Sequence, residues 1–477
     1  MKRAINLIIP IIFVINSFAQ NWTESVNISN MEGLDNQPDL TVAQNGTIHC
    51  VWAHKIETNF WKIYYSKSND EGFVWSNPED ISLNEEKWVS NPHIISDTEN
   101  NLYVSYDYDV GNPNETMIHF KTFNGLEWSE PLIISENMPE SHANKLVIDN
   151  NDRIYCFWYR SINNGTTFYR YLENGNWSEI FCPYPGNFYL ALVEIICDDF
   201  NNLHCIGSYH NEGQSHNEDI TIYIKYESNI WGSIIEISNC TIGPGKDLDL
   251  DNSNKPHIAW RQKTPMTGPG NDSTMYRYFN GISWSYPELI VEDPIEQQIA
   301  LDENNQPNIF DVEKTEGGSM LVHYFKTQDN WEGYIIDESE WYAMTPRILN
   351  HNNKLFAVYR KPLLSTNGEI FFSKSDIINY LHDFNNYTLK INIYPNPFYQ
   401  QVRICFELNT AGRILLRIYT IQGQLINTLI NGNKQPGEYE LIWNGKDLNG
   451  KEIKPGLYLI RLQSGRNILT RSVEYIK

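Results

Sequence analysis

The sequence predicts an all-β protein, because most of the chain repeats with a period of roughly fifty residues and each period consists of short alternating segments. Seven tryptophans mark the repeat at successive spacings of 47 to 54 residues: Trp22, Trp75, Trp128, Trp177, Trp231, Trp284 and Trp331. A second element, a polar turn followed by an alternating strand, recurs in phase, as in 45–52, 100–106 and 152–158. Aromatic residues make up 13% of the chain and alternate with polar ones, which is typical of strands with one buried face.

Each period supplies four short strands, the composition of one β-propeller blade. The first two strands flank the polar turn, the third is rich in Tyr and Phe, and the fourth begins at the tryptophan. The segment 21–29 carries only a tryptophan strand, whereas 345–375 carries only the inner strands. Joining the two completes a seventh blade and hides two sheet edges. The sequence therefore predicts a seven-bladed β-propeller in residues 20–378, with 21–29 paired beside 370–374.

Three further segments flank this repeat. Residues 1–19 combine Lys2 and Arg3, an apolar run and a small-residue end at Ala19, which predicts a cleaved secretory signal peptide. The apolar run is too short to span a bilayer, and we expect no transmembrane segment elsewhere. Residues 379–388 are a polar linker. Residues 389–477 show the alternating strands and turn spacings of a small, Ig-like β-sandwich.

The balance of basic and acidic residues changes at the start of the C-terminal segment, near Leu389. Twelve Lys or Arg and six Asp or Glu follow Leu389, so the C-terminal segment is basic, whereas the region between the signal and Leu389 holds 22 basic and 53 acidic residues. An acidic surface repels nucleic acid and anionic lipid, so we expect no nucleic-acid partner. The contrast also predicts two parts that fold separately.

The C-terminal segment resembles the sorting domain of proteins exported by the type IX secretion system. The resemblance rests on the motifs at 394–397, 418–423, 443–450 and 455–458, which read YPNP, IYTIQG, WNGKDLNG and PGLY. It implies passage through the periplasm and outer membrane, removal of the domain by a sortase, and a secreted or cell-surface location. The secretion machinery and its sortase are then expected partners.

The repeat resembles the sialidase-like group of propellers that carry Asp-box, or BNR, motifs. The motif is intact once, at Ser68, Asp70, Gly72 and Trp75. In that family Asp and Ser cap a turn between the third and fourth strands while Trp packs between blades. The motif therefore points to the fold and hardly to activity.

Ligand sites of such propellers are expected where the second strands end, on the face opposite the Asp-box turns. Aromatic residues there suit sugar rings, and the charged residues after them suit hydroxyls or a carboxylate. The candidates for this binding funnel are Trp52, His54, Tyr106, Asp107, Asp109, Trp158, Arg160, Trp260, Arg261, Asp311, Glu313, Tyr359 and Arg360. The alternative is that the tryptophans pack between blades, since they alternate in phase with apolar neighbours.

Catalysis is left open by the sequence. The resemblance implies that a sialidase would use three converging arginines, for which Arg160, Arg261 and Arg360 are the candidates, but no tyrosine can be paired with a glutamate from spacing alone. Acid/base chemistry would need two facing carboxylates, and only Asp107, Asp109, Asp311 and Glu313 qualify. No catalytic residue is therefore assigned.

No cofactor is expected. Asp- and Asn-rich turns at 149–152, 198–199, 251–252 and 302–304 admit calcium, although such residues are favoured in turns for their geometry alone. Seven cysteines match no metal spacing, and Cys182 with Cys240 is the one disulfide to check. The leading interpretation is a non-catalytic propeller that binds extracellular glycan or a surface protein. Its rival is a secreted carbohydrate-active enzyme, a glycosidase or polysaccharide lyase.

Overall fold

The computed structural model describes residues 21–57, 60–82, 88–109, 115–161, 165–186, 188–213, 219–238, 241–263, 272–292, 294–315, 317–327, 330–341, 344–364, 367–376, 390–408, 411–420, 424–464 and 467–477. The predicted signal peptide and linker lie outside these residues. The described part of the chain forms strands and turns and no helix, as the sequence predicts.

Seven antiparallel meanders make up the first part of the chain. We number them 1 to 7 in chain order. The strands of meander 1 are Leu34–Val42, Ile48–Glu57, Phe60–Ser68 and Glu79–Asp80; those of meander 2 are Trp88–Ser96, Leu102–Asp109, Met117–Phe123 and Leu132–Ile133; and those of meander 3 are Ser141–Ile148, Ile154–Arg160, Thr166–Glu173 and Asn176–Trp177. The strands of meander 4 are Phe188–Cys197, Leu203–Asn211, Ile220–Glu227, Ile230–Trp231 and Ile235–Ser238, and those of meander 5 are Thr241–Leu250, Pro256–Lys263, Asp272–Tyr278 and Glu288–Glu292. The strands of meander 6 are Pro294–Leu301, Pro307–Lys314, Ser319–Thr327 and Asn330–Ser339, and those of meander 7 are Pro346–His351, Lys354–Leu364 and Asn367–Asp376.

The N-terminal strands complete meander 7. Trp22 of Asn21–Trp22 pairs with Ser375, and Val26 of Val26–Asn27 pairs with Phe372, both antiparallel. Trp22 is buried in a core shared with meander 6, where its ring packs edge-on against Phe310 at 5.5 Å. The predicted pairing of the N-terminus with the last repeat is confirmed.

The first strands of the seven meanders contact one another in chain order, and the first strand of meander 7 contacts that of meander 1. All seven border one cavity. The turns after these strands tie each meander to the next: the side chain of Asn201, at a positive φ of 64°, accepts a 2.9 Å hydrogen bond from the backbone N–H of Asn150. Asn100, Asn254 and Asn305 act in the same way.

The C-terminal domain has its own core, which includes Phe398, Trp443 and Tyr458. Its strands are Lys390–Tyr394, Val402–Leu408, Gly412–Thr420, Leu425–Lys434, Gly437–Trp443, Gly456–Ser464 and Asn467–Tyr475. They form two sheets, one with three of these strands and one with four.

The C-terminal domain is joined to meander 6, a contact that the sequence did not predict. Its last strand pairs antiparallel with Asn330–Ser339, with Ile468 opposite Gly333. Ile468 is buried in the core of meanders 5 and 6. Arg461 donates to both carboxylate oxygens of Glu313, at 2.9 and 3.0 Å, and to the Tyr324 hydroxyl at 2.7 Å. This contact brings a basic residue of the C-terminal domain to an acidic residue of meander 6.

Candidate functional site

The first strands of meanders 1 to 7 surround a central cavity of about 780 Å³. This volume lies within the range of small-molecule sites, roughly 300 to 1,000 Å³. We call it the central cavity. Its lining includes Asn36, His93, Lys145, Tyr159, Tyr189, Glu194, Asp219, Gly245, Lys246, Gln297, Gln298, Thr345 and Arg347.

Irregular pairing in the first strands shapes this cavity. In meanders 1 to 6 the register of the first strand against the second shifts once, for example between Asn36 and Asp39. Gln37, Asn91 and Ala143 adopt positive φ angles of 49° to 52° at these shifts. Such bulges bend a strand and re-aim its side chains, which here places polar groups at the cavity.

A ring of polar residues, one from each first strand, lies at equivalent positions. We call it the axial ring. Each member stands opposite the equivalent residue of its second strand, as Asp39 stands opposite Val51 and Arg347 opposite Val358. The ring comprises Asp39, His93, Lys145, Glu194, Asp247, Gln298 and Arg347.

Opposite charges in the axial ring largely compensate one another. Lys145 Nζ lies 2.7 Å from Glu194 Oε2, and Arg347 Nε lies 3.9 Å from Asp39 Oδ1. Burial raises the pKa of Asp39, and the neighbouring Lys145 and Arg347 oppose that shift. Asp39 also accepts a 2.8 Å hydrogen bond from the backbone of meander 2. The ring therefore ties meanders together while it makes the cavity floor polar.

Two tyrosines from meanders 3 and 4 form one side of the cavity, which we call the aromatic wall. The rings of Tyr159 and Tyr189 are 5.7 Å apart and inclined at 63°. Tyr189 stacks on His210 at 4.5 Å, and His210 Nδ1 lies 2.6 Å from Asp219 Oδ1. Lys246 is buried beside them, and this burial lowers its pKa to about 8, against the opposing effect of Asp219.

The side formed by meanders 6, 7 and 1 is the polar wall, comprising Asn36, Gln297 and Thr345. Within the described residues, Asn36 Oδ1, Thr345 Oγ1 and both polar atoms of the Gln297 amide are buried without a hydrogen-bond partner. Buried polar groups are nearly always hydrogen-bonded, and leaving one unpaired costs about 1 to 3 kcal/mol. These atoms are therefore suited to a polar ligand or to water.

The aromatic residues predicted for the binding funnel lie instead in the cores between meanders. The rings concerned are no more than 1% exposed: Trp52, Tyr106, Trp158, Trp260 and Tyr359. For the three tryptophans this is the packing that the sequence left open as the alternative. Side chains of second strands alternate between the two faces of a meander and are covered by the neighbouring meanders, whereas the first strands line the central cavity.

The three candidate arginines are held by different groups. Arg160 Nε donates to the Pro139 carbonyl oxygen at 3.1 Å, and Arg261 pairs with Asp272. Burial lowers the pKa of Arg360 in meander 7, and Asp35 of meander 1 opposes that shift. The described contacts therefore do not assemble the three guanidinium groups around one carboxylate, as the sialidase hypothesis requires.

The candidate acids and His54 are likewise engaged. Asp107 accepts from Asn91 and Asn144, at 2.7 and 2.8 Å, and burial raises its pKa. Asp311 accepts from Thr274, and Glu313 binds Arg461.

His54 Nδ1 lies 2.6 Å from the buried Asp35. Asp109 ends its strand opposite Trp88. In the part of the chain that the structure describes, no member of the predicted funnel set lines the central cavity.

The segment 68–75 forms the turn that its residues predict. Ser68 Oγ accepts from the Gly72 backbone N–H at 2.9 Å, and Asp70 accepts from that of Val74 at 2.8 Å. Gly72 has a φ of +90°, and a Cβ there would meet Phe372 at 2.0 Å. Trp75 packs against Phe372 at 5.2 Å, so these residues join meanders 1 and 7.

The acidic turns have contacts of their own. The same Asp198 oxygen accepts the backbone N–H groups of Phe200 and Asn202, at 2.9 and 2.8 Å, and Asp149, Asp251 and Asp302 do likewise. Among the described residues, no three His, Cys, Asp or Glu side chains are grouped to hold a metal. Cys182 carries a free thiol, and Cys240 lies outside the described residues.

Sequence reasoning missed the cavity residues because it placed the site on the second strands. The sequence of the first strands does contain a pattern that could have located these residues. A polar residue recurs there at 39, 93, 145, 194, 247, 298 and 347, in phase with the tryptophans.

Comparisons with known proteins support the fold. Residues 400–467 match the family model described as the FlgD Ig-like domain, so the C-terminal segment is Ig-like, as predicted. No curated protein sequence matches the chain significantly. The described residues include no helix long and apolar enough to cross a bilayer.

Among solved structures, a PL25 ulvan lyase bound to -[GlcA(1-4)Rha3S]- matches with a TM-score of 0.52 and 10% identity, over 73% of this chain and 95% of the lyase. A protein of unknown function from Dyadobacter fermentans matches with a TM-score of 0.48 and 12% identity, over 75% and 99%. NanB sialidase from Streptococcus pneumoniae matches with a TM-score of 0.41 and 13% identity, over 76% and 71%. At these identities the likeness concerns the fold, which is of the β-propeller-like kind found in carbohydrate-active enzymes.

Proposed function

We propose that this chain is a closed seven-bladed propeller of the sialidase-like, Asp-box kind that binds extracellular glycan in its central cavity. The seven meanders would be its blades. The ring of first-strand contacts, the N-terminal strands completing meander 7 and the turn at 68–75 support this fold.

Glycan binding rests on one observation: an aromatic wall faces a polar wall across a cavity of about 780 Å³. Tyrosine rings cover the apolar faces of sugars, while amide and hydroxyl groups bond their hydroxyls. The likeness of the fold to a polysaccharide lyase agrees with this class of ligand. A surface protein is the other partner that the sequence allows, but a cavity enclosed by seven strands offers less area than a specific protein interface needs.

A carbohydrate-active enzyme is the second candidate. It is favoured by the cluster of Tyr189, His210, Asp219 and Lys246, in which ionisable groups lie side by side at the cavity. Lys246 lines the cavity and burial lowers its pKa to about 8, which makes it a candidate group for acid/base chemistry. The matching lyase structure makes polysaccharide cleavage the reaction to test first.

A polysaccharide screen tests both candidates. The chain from residue 20 onward is incubated with neutral, uronate-containing and sulfated polysaccharides, and binding is measured by affinity electrophoresis. Tyr189→Ala should weaken binding of the retained polysaccharide about tenfold, whereas Tyr286→Ala, which alters a ring that is 93% exposed, should not. Equal binding by both variants would contradict the cavity as the site. Release of reducing ends or unsaturated sugars would establish the enzyme.

We also propose that the C-terminal domain directs export through the type IX system to the outer surface, where a sortase removes it. The motifs quoted for the resemblance and the Ig-like match support this. A chain ending at Asn379 should remain in the periplasm of the native host, as seen by fractionation. Full-length Arg461→Met, which weakens docking to meander 6 but keeps the domain, should still be exported. Secretion of the truncated chain would contradict the assignment.

A further inference from the structure

Gln297 occupies an unusual position in the first strand of meander 6. The residue is fully buried yet lines the central cavity, and neither Nε2 nor Oε1 of its amide has a partner among the described residues. Its register partner on the second strand, Asp311, accepts its hydrogen bond from Thr274 rather than from this amide. The amide therefore has a donor group, Nε2, and an acceptor group, Oε1, and neither has a partner in the described part of the chain.

Gly245 makes room for this amide, which packs directly against it. A Cβ at this position would lie 2.5 Å from both Nε2 and Oε1 of Gln297, closer than packed atoms approach. Gly245 lines the cavity at the register shift between Thr241 and Lys246, where meander 5 bends toward the axis. Any larger residue would have to displace the Gln297 amide.

The neighbouring meanders add two groups of the same kind. Thr345 Oγ1 and Asn36 Oδ1, from meanders 7 and 1, also line the cavity and are buried without a partner in the described structure. Four unpartnered polar atoms on three consecutive meanders are too costly to be left unbonded. A ligand with hydroxyl groups in the cavity would offer partners to them.

We propose that Gln297, whose amide packs against Gly245, is the hydroxyl-recognising subsite of the cavity and binds a vicinal diol of a sugar. This inference rests on the proposed glycan binding and names the part of the glycan that is recognised. One hydroxyl accepts from Nε2 while its neighbour donates to Oε1. A carboxylate or sulfate offers only acceptors and would leave Oε1 unbonded, and an ammonium group offers only donors and would leave Nε2 unbonded.

The test uses the polysaccharide retained in the screen, in native form and after periodate oxidation and borohydride reduction, which destroy vicinal diols but spare N-acetyl groups. The chain from residue 20 onward should bind the native form and lose the oxidised one. Gly245→Ala and Gln297→Leu should each raise Kd about tenfold, equivalent to about 1.4 kcal/mol. Gly317→Ala, where a Cβ meets no atom within 4 Å, is the matched control and should bind as the wild type does.

Melting temperatures separate recognition from folding. Gln297→Leu removes unbonded polar atoms, so it should melt no lower than the wild type, and it keeps the test decisive if Gly245→Ala fails to fold. Wild-type affinity in Gln297→Leu would show that water alone occupies the site and would overturn the proposal. Retention of the oxidised polysaccharide would overturn the diol as the recognised group while glycan binding stands. Failure of the wild type to bind any polysaccharide would overturn both proposals.

Discussion

Replacing Arg461 with Met should weaken the docking of the C-terminal domain to meander 6. The Arg461 side chain is 14% exposed and that of Glu313 is 7% exposed, so both charges are shielded from water. Removing the guanidinium leaves Glu313 buried with only the Tyr324 hydroxyl as a described partner. Breaking a buried ion pair in this way costs about 3 to 5 kcal/mol.

A second pair in the same domain gives the comparison. Arg403 and Glu440 lie 2.8 Å apart, but their side chains are 48% and 47% exposed, and such pairs contribute about 0 to 1 kcal/mol. Arg403→Met should therefore change stability little. The double variant Arg461→Met with Glu313→Gln should recover part of the loss, because the amide carries no charge.

Thermal and urea unfolding of the four proteins measure these differences, with hydrogen exchange of the strand Asn467–Tyr475 as the local probe. Arg461→Met should lose protection in this strand and Arg403→Met should not. Equal stability losses in the two single variants would refute a stabilising role for the buried ion pair of Arg461 and Glu313.

Two further predictions concern the seven-meander ring. Trp22→Ala should lower the free energy of unfolding by about 3 to 5 kcal/mol, because a buried ring is removed, whereas Trp341→Ala, at a ring 40% exposed, should cost far less; equal losses in a urea titration would argue against closure by the N-terminus. Burial lowers the pKa of His49 and His257 to about 4, so these side chains bind protons more weakly in the folded protein than in the unfolded chain. Their contribution to the free energy of unfolding is therefore full above pH about 6.5 and is lost as pH falls toward 4, by on the order of 3 kcal/mol each. The fall in melting temperature between pH 7 and 4.5 should be smaller in His257→Asn than in the wild type, and an unchanged fall would contradict the assignment.

The repeat made the architecture accessible from the sequence. The tryptophans mark one position per period, and the Asn-Gly turns before several of them require the positive φ that Gly125, Gly175 and Gly281 adopt. The unmatched strand at Trp22 was enough to predict its pairing with meander 7. These features are local or periodic, so spacing alone reveals them.

The site depends on geometry that spacing does not carry. A register shift of one residue at Gln37 or Asn91 decides which side chains reach the axis, and no composition signal distinguishes such a bulge from a regular strand. Second-strand tryptophans such as Trp158 look suited to sugars, yet neighbouring meanders cover them. The ion pair of Arg461 and Glu313 could not be predicted for another reason. The opposite net charges of the two parts suggested that they fold separately, although opposite charges also attract one another.

A crystal structure of the chain from residue 20 onward, bound to an oligosaccharide of the retained polysaccharide, would show whether a glycan occupies the cavity between the aromatic and polar walls. We expect a sugar ring on Tyr189 with adjacent hydroxyls bonded to the Gln297 amide. A sugar bound elsewhere, such as in the cleft of about 1,130 Å³ that Arg413 and Arg417 line beside meander 6, with the central cavity holding only water, would contradict it.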